Sequence, residues 1–140
     1  MRIAFASDDE NDTTRAVVQA IADDGHEIIR PGGSPQGSPD WVDLGRFVGQ
    51  AVVDGRADHG VVMCWTGTGT AIAANKVPGV RAALAWDPWV ARGARLWNDA
   101  NVLAMSLKRL APDVAVEVLR AYLETPEPDP GEAATIAKLT

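Results

Sequence analysis

An apolar run that enters a loop of glycine and threonine constrains the fold of this chain more than any other stretch. Residues 61–63 are Val-Val-Met, residues 66–70 alternate threonine with glycine, and residues 71–74 are Ala-Ile-Ala-Ala. This order predicts a strand, a turn and the start of a helix. At the end of a parallel strand, such a helix directs its free backbone N–H groups and its positive dipole end into the crevice where α/β proteins bind ligands.

Cys64 is the only cysteine, and it lies where the predicted strand meets this loop. The loop supplies two glycines, which let the backbone approach a bound oxygen, and three hydroxyls: Gly67, Gly69, Thr66, Thr68 and Thr70. A thiol beside such donors is suited to proton abstraction next to a carbonyl. The local sequence is equally compatible with an ordinary strand-to-helix connection that holds a buried cysteine as a small hydrophobe.

Composition narrows the class of protein. With 140 residues, 46% hydrophobic and 23% charged, the chain is expected to form one globular domain. The net charge of −6 and the lack of a basic stretch argue against nucleic-acid binding. A single cysteine excludes an internal disulfide, and no apolar run approaches the roughly 18 residues of a membrane span. The first residues lack the features of a signal peptide, so we expect a first strand there and a cytoplasmic protein.

The rest of the chain alternates strand and helix patterns. Strands are predicted at residues 2–6, 27–30, 61–63, 82–85 and 102–105, and helices at residues 14–24, 40–53, 89–97 and 112–123. Thr13 or Thr14 is predicted to cap the first helix and Gly25 to end it, a loop is predicted from Pro31 to Pro39, and the second helix is predicted to turn Trp41, Leu44, Val48 and Val52 to the core. This alternation predicts a single α/β domain over residues 1–124, with a parallel sheet covered on both faces.

Several motifs resemble ribose-5-phosphate isomerase B and its galactose-6-phosphate isomerase relatives. They are Ser7-Asp8, Gly25-His26-Glu27, Cys64 with Thr66, Gly67 and Gly69, the run Ile-Ala-Ala-Asn-Lys-Val-Pro-Gly-Val-Arg-Ala-Ala-Leu at 72–84, Asp87-Pro88, and Asn-Asp-Ala-Asn-Val-Leu at 98–103. The similarity runs in register from Met1 to about Lys138, and its segment from Ala73 to Ala83 is highly specific.

The resemblance implies a Rossmann-like, flavodoxin-like three-layer α/β sandwich and a homodimer, or a tetramer, whose active sites are shared between subunits. It implies interconversion of aldose and ketose phosphates through an enediol, without a metal or nucleotide cofactor. In the matching roles Cys64 would be the base, the loop from Thr66 to Thr70 would hold the enediolate oxygen, Asp8 would contact the sugar, and Asn98 would come from the second subunit. The tail, residues 125–140, is expected to pack on the partner or to fray.

The chain also departs from the family pattern at positions that bind phosphate or open the sugar ring. Asp9 and Trp97 each stand where the family has a histidine, and Trp65 stands where it has a loop glycine. No basic residue lies in residues 131–135, where the family has phosphate-binding arginines, and Lys108 replaces another. Indole is neither an acid nor a base at neutral pH, and a carboxylate repels phosphate.

These departures predict an acidic and aromatic pocket for a non-phosphorylated, sugar-like substrate. Its predicted binding residues are Asp8, Asp9, Trp65, Gly67, Thr68, Gly69, Thr70, Trp97, Asn98 and Lys108, with Cys64 and Thr66 as the catalytic pair. Asp9 alternatively caps the following helix, Trp97 alternatively fills space, and Trp41, Trp86 and Trp89 are assigned to the core or to a dimer interface. Two other functions stay open: a non-catalytic binding protein on the same fold, and a ribose-5-phosphate isomerase whose phosphate site uses Lys108 and the loop amides.

Overall fold

The computed structural model describes residues 1–32 and 39–139, so most of the loop predicted from Pro31 to Pro39 lies outside the described residues. Within these residues five strands form one all-parallel sheet in the order β2-β1-β3-β5-β4. The strands are β1 (Arg2–Ser7), β2 (Glu27–Ile29), β3 (His59–Cys64), β4 (Ala82–Leu84) and β5 (Val102–Ser106). The helices are α1 (Asp12–Asp23), α2 (Trp41–Val53), α3 (Thr68–Asn75), α4 (Pro88–Asn98), α5 (Pro112–Leu123) and α6 (Ala133–Ile136), with a 3₁₀ turn at Pro130–Glu132. The predicted single α/β domain with a parallel sheet is confirmed.

The helices cover the sheet in two layers. α1, α4 and α5 pack together on one face, while α2 and α3 pack against each other on the other face. This division follows from right-handed crossovers, because the chain moves toward one edge of the sheet through α1 and α4 and toward the opposite edge through α2 and α3. The crossover from β3 to β4 passes over the position that β5 then fills.

Alternation along the strands builds one apolar core on each face. The larger side chains face α1, α4 and α5: Ile3, Phe5, Val61, Met63, Leu103 and Met105. The smaller ones face α2 and α3: Ala4, Ala6, Val62, Val102 and Ala104. Small residues let α2 and α3 approach closely, since a Cβ added at Gly45 of α2 would lie 2.7 Å from both the Ala73 Cβ and the Thr70 carbonyl oxygen of α3.

Two details predicted for the helices are wrong. The α1 cap is Asn11: its side chain accepts the Thr14 N–H at 3.0 Å, while Thr14 Oγ1 accepts the Asn11 N–H at 2.9 Å. The Thr13 hydroxyl instead donates to the Leu110 carbonyl at 2.8 Å. Trp41 does not face the core: it is the first residue of α2, lies over Gly69 of α3 and is 43% exposed.

The C-terminal region is tied to its own chain where it leaves α5. The buried Arg95 guanidinium of α4 donates to the carbonyls of Thr125 and Pro126, and the Asp129 N–H donates to the Leu96 carbonyl at 2.8 Å. Contact of residues 125–140 with a partner subunit stays a prediction. In the described part of the chain, no helix combines the length and apolar character needed to cross a membrane.

His59, at the start of β3, is held neutral by its surroundings. The Tyr122 hydroxyl donates to the Ala100 carbonyl at 2.9 Å, so it accepts from His59 Nδ1 at 3.0 Å. Burial, with the nearby positive charge of Arg95, lowers the pKa of His59 from 6.5 to about 4. Below pH 6.5 the unfolded chain therefore binds a proton that the folded chain takes up only near pH 4.

We expect the free energy of unfolding to fall as the pH drops from 6.5 toward 4, with His59 contributing roughly 2 kcal/mol after allowance for its partial exposure. The measurement is urea unfolding across this pH range for the native protein and for His59→Gln. The variant should show a shallower loss, because glutamine does not titrate. Equal slopes in the two proteins would contradict the assignment.

Candidate active site

The loop that follows β3 and the loops that follow its two neighbouring strands lead to opposite faces of the sheet. The loops after β1 and β5 lead to α1 and α5 on one face of the sheet, whereas the loop after β3 leads to α3 on the other face. Crevices form where neighbouring loops diverge in this way, and ligands bind there in open α/β sheets. β3 therefore has such a crevice on each side, and Cys64 is its last residue.

The Cys64 sulfur is surrounded by hydrogen-bond donors from the start of α3. Sγ accepts the Gly67 N–H at 3.1 Å and the Thr70 hydroxyl at 3.4 Å, and only 5% of the residue is exposed. Burial acts to raise the pKa of the thiol, but hydrogen bonds from the Thr70 hydroxyl and from backbone N–H groups of Thr70, Gly67 and Thr66 outweigh it. The pKa of Cys64 consequently lies below its ordinary value, which favours the thiolate.

Gly67 makes this arrangement possible. Its φ of 79° is left-handed, and a Cβ there would lie 2.6 Å from Leu84 Cδ1 and 2.8 Å from the Met105 carbonyl carbon. Gly69 lies against the Trp41 indole, where a Cβ would approach Cε3 to 2.9 Å. The loop glycines thus serve close packing and the turn toward the sulfur, and the prediction that the loop also binds substrate stays a prediction.

The hydroxyls of Thr66 and Thr68 are exposed and pair with each other at 2.7 Å. The Thr68 N–H also donates to Thr66 Oγ1 at 3.3 Å. Unlike Thr70, whose hydroxyl is buried against the sulfur, these two side chains face outward from the loop that follows Cys64. They are therefore accessible polar groups beside the thiol.

Asp9, Trp65 and Lys108 form an exposed cluster just after the carboxyl ends of β1, β3 and β5, which we call the Asp9–Trp65–Lys108 cluster. The Trp65 indole N–H donates to Asp9 Oδ2 at 3.1 Å, and Lys108 Nζ lies 4.6 Å from the centre of the Trp65 ring. The pKa of Asp9 is lowered by the Trp65 hydrogen bond, by the Glu10 N–H and by the charge of Lys108. Sequence reasoning did not include Ser106, whose hydroxyl donates to the Trp65 carbonyl at 2.5 Å.

Asp8 belongs to a cleft of about 580 Å³ at the end of β1. Partial burial, followed by the charge of Asp9, raises the pKa of Asp8. Asp9 and Glu10 line the same cleft, as expected for an acidic pocket, but Arg15 and Arg30 line it too. α1 and the residue after β2 thus bring two cations to this cleft beside the acidic residues, and the acidic and aromatic substrate pocket stays a prediction. Among the described residues, no group of three or more His, Cys, Asp or Glu is arranged to hold a metal ion.

Trp97 and Asn98 are separated from the thiol within one chain. They end α4, which leads back to the side of the sheet where the strands begin, here called the amino edge. Cys64 lies at the opposite side, where the strands end, here called the carboxyl edge. Six residues of β3 separate these edges by roughly 16 Å. The structure therefore brings the other predicted site residues together at the carboxyl edge, whereas Trp97 and Asn98 lie at the amino edge.

The chain matches known proteins over most of its length. Residues 3–139 match the family model described as Ribose/Galactose Isomerase. A putative sugar phosphate isomerase of Bacillus subtilis is 38% identical over 89% of this chain and 85% of its own length, and a D-erythrulose-4-phosphate isomerase of Pectobacterium atrosepticum is 34% identical over 73% and 67%. The solved structure of Clostridium thermocellum ribose-5-phosphate isomerase B is similar with a TM-score of 0.85 and 36% identity, covering 99% of this chain and 95% of that one.

Gly67→Ala is expected to destabilise the protein by roughly 3 kcal/mol or more, because it adds left-handed strain and a backbone clash together. Gly25→Ala is the matched control: Gly25 has a φ of 82° but nothing within 4 Å of the added Cβ. It should cost roughly 1 kcal/mol, from the backbone strain alone. Urea unfolding of both variants measures the difference, and equal losses would show that the space around Gly67 is not limiting.

Thr70→Val is expected to raise the pKa of Cys64, because the thiolate loses a hydroxyl donor while the side-chain volume stays nearly constant. Thr70→Ser keeps the hydroxyl and is the control. Since the chain has one cysteine, a pH titration of thiolate absorbance reports this sulfur alone. An unchanged titration in Thr70→Val would remove Thr70 from the activation of the thiol.

Proposed function

The chain belongs to the ribose/galactose isomerase family, and we propose that it is a sugar phosphate aldose–ketose isomerase in which Cys64 is the proton-transfer base. The single observation that carries this proposal is the Cys64 sulfur, which accepts two hydrogen bonds and has a lowered pKa. The relatives support the substrate class, because their names specify sugar phosphate isomerases.

The proposed reaction moves one carbon-bound proton. The thiolate removes the proton from C2 of the aldose, the electron pair forms an enediolate, and the thiol returns the proton to C1 while the hydroxyl proton moves from O2 to O1. The accessible Thr66–Thr68 hydroxyl pair is available for this oxygen-to-oxygen transfer. Among the donors in the loop, those not directed at Sγ would stabilise the enediolate oxygen.

We propose that the active protein is a homodimer with shared sites. Trp97 and Asn98 lie at the edge of the sheet opposite Cys64, so a single chain does not contain both halves. Three tryptophans in α4 or just before it are exposed: Trp86 by 63%, Trp89 by 64% and Trp97 by 41%. Aromatic residues in such number are typical of an interface, and a second copy would both cover them and complete the site.

The residues favour a substrate that does not need ring opening. Trp97 has no acid–base function at neutral pH, and His26 and His59 both lie at the amino edge of the sheet, away from Cys64. A four-carbon aldose 4-phosphate has its terminal oxygen blocked, so it forms no five- or six-membered ring and presents an open aldehyde. We therefore propose a tetrose phosphate, the class to which the substrate named for the Pectobacterium relative belongs.

A second candidate is the same proton transfer on a non-phosphorylated sugar. Asp8, Asp9 and Glu10 line one cleft and repel a phosphate there, although Arg15 and Arg30 line the same cleft. Lys108 favours a phosphorylated substrate, because its ammonium lies at the Trp65 ring next to Asp9 and is able to pair with an anion. Which of these charges faces the substrate decides between the two candidates.

Cys64→Ser should lower kcat by roughly 10²- to 10⁴-fold, the usual contribution of a general base. The assay is proton exchange at the carbon next to the carbonyl in D₂O, followed by NMR, with erythrose 4-phosphate, ribose 5-phosphate and unphosphorylated erythrose. Erythrose 4-phosphate is expected to be the preferred substrate. Preference for unphosphorylated erythrose would establish the second candidate, and full activity of Cys64→Ser would contradict the role of the thiol. Failure to turn over any of the three sugars would favour a binding protein.

A further inference from the structure

The residue that follows Asn98 has an unusual backbone conformation. Asp99 has φ 47° and ψ 45°, and it is the one non-glycine residue with a positive φ in the described residues. Glycine adopts this conformation at helix ends without strain. Apart from glycine, aspartate and asparagine adopt this conformation more readily than other residues. Non-glycine residues held in this region also cluster at functional sites.

Two arginines hold the Asp99 side chain from different parts of the fold. Arg95 Nη1 donates to Oδ1 at 2.9 Å and Arg81 Nη2 donates to Oδ2 at 3.1 Å, while Arg81 Nε donates to the Asp99 carbonyl at 2.8 Å. Arg95 is buried and also donates to the Ala100 carbonyl at 2.6 Å. The end of α4 is thereby fixed to the segment before β4 and to the start of β5.

The other side of the same segment is fixed by packing. The Trp97 ring lies directly over Gly93, where an added Cβ would be 2.6 Å from Cζ3, and it meets Trp89 edge-on with ring centres 5.5 Å apart. Although the backbone is held firmly, Trp97 and Asn98 present exposed side chains, and the Asn98 amide makes no hydrogen bond within the described part of the chain. A rigid backbone that presents unpaired groups is suited to contact with another molecule.

We propose that Asp99, held by Arg81 and Arg95, is a positioning residue that fixes Trp97 and Asn98 for the Cys64 site of a second copy of this chain. This inference rests on the proposed function and on its shared site. The carboxylate of Asp99 bonds to Arg81 and Arg95, so Asp99 is not a catalytic residue. Its removal should therefore misplace the pair in the partner's site and leave the Cys64 loop of its own subunit intact.

Asp24 offers a closely matched control. It is the C-terminal cap of α1, as Asp99 is of α4, and its carboxylate accepts two hydrogen bonds from Arg120 at 3.0 and 3.1 Å. The side chains of both aspartates are 32% exposed. Asp24, however, has an ordinary φ of −81° and precedes no predicted site residue. Asp24→Asn thus removes a carboxylate–arginine pair at another helix C-terminus, with one exposed arginine instead of two, and leaves Asp99 with Arg81 and Arg95 intact.

The first experiment compares Asp99→Asn with Asp24→Asn, using proton exchange on erythrose 4-phosphate. Asp99→Asn should lower kcat roughly 10- to 100-fold, the effect of a small misplacement of site residues. Asp24→Asn should keep kcat within about twofold, since surface pairs of this kind contribute little. Asp99→Gly, which relieves the backbone strain but lacks the carboxylate, should be as slow as Asp99→Asn. A fully active Asp99→Gly or Asp99→Asn would overturn the proposal.

The second experiment separates positioning in the partner's site from damage to the variant's own fold. Asp99→Asn and Cys64→Ser chains are co-expressed with different affinity tags and purified through both, so that every dimer is mixed. One of its two sites then combines an intact thiol with an intact Trp97–Asn98 pair, and activity should return to about half of the native value. No recovery would overturn the proposal. Full activity of Cys64→Ser alone would instead overturn the proposed function.

Discussion

The hydrogen bond from the Gly67 N–H to the Cys64 sulfur depends on a backbone geometry for which glycine is required. At φ 79° the chain turns from the end of β3 directly into α3, and a side chain there would occupy the space of Leu84 and the Met105 backbone. The same turn brings the Thr70 hydroxyl back over the sulfur. The donors come from the first turn of a helix, where N–H groups lack partners, so the fold lowers the pKa of the thiol without an adjacent cation.

The position of α3 in turn depends on close packing against α2. Gly45 allows the Thr70 carbonyl and Ala73 to approach the α2 backbone, and Trp41 covers Gly69 from the start of the same helix. Larger residues at these glycines would push α3 away from α2 and so change the position of Thr70 relative to Cys64. Small residues in the layer of α2 and α3 therefore help to set the pKa of the Cys64 thiol at the end of β3. The larger side chains fill the opposite face of the sheet.

Much of this architecture is predictable from local signals. The bounds of α5, residues 112–123, are confirmed, because Pro112 opens the helix and the apolar period continues to Leu123. The loop after β3 is likewise placed by its glycines. The Asn11 cap, the exposed Trp41 and the cations Arg15 and Arg30 at the cleft were missed, because each depends on which elements meet in space. For the same reason, the sequence does not reveal that the Gly67 and Thr70 donors are directed at the sulfur.

The separation of the two groups of predicted site residues follows from topology and not from side-chain conformation. A helix that connects parallel strands runs back to the amino edge, so no rotamer of Trp97 or Asn98 reaches Cys64 at the carboxyl edge of the same chain. A site that uses both groups requires two copies. Before two copies assemble, the Cys64 loop of one copy cannot position Trp97 and Asn98 of the other. The positions of Trp97 and Asn98 must therefore be set within the chain that carries them. The bonds from Arg81 and Arg95 to Asp99 supply that constraint next to Asn98.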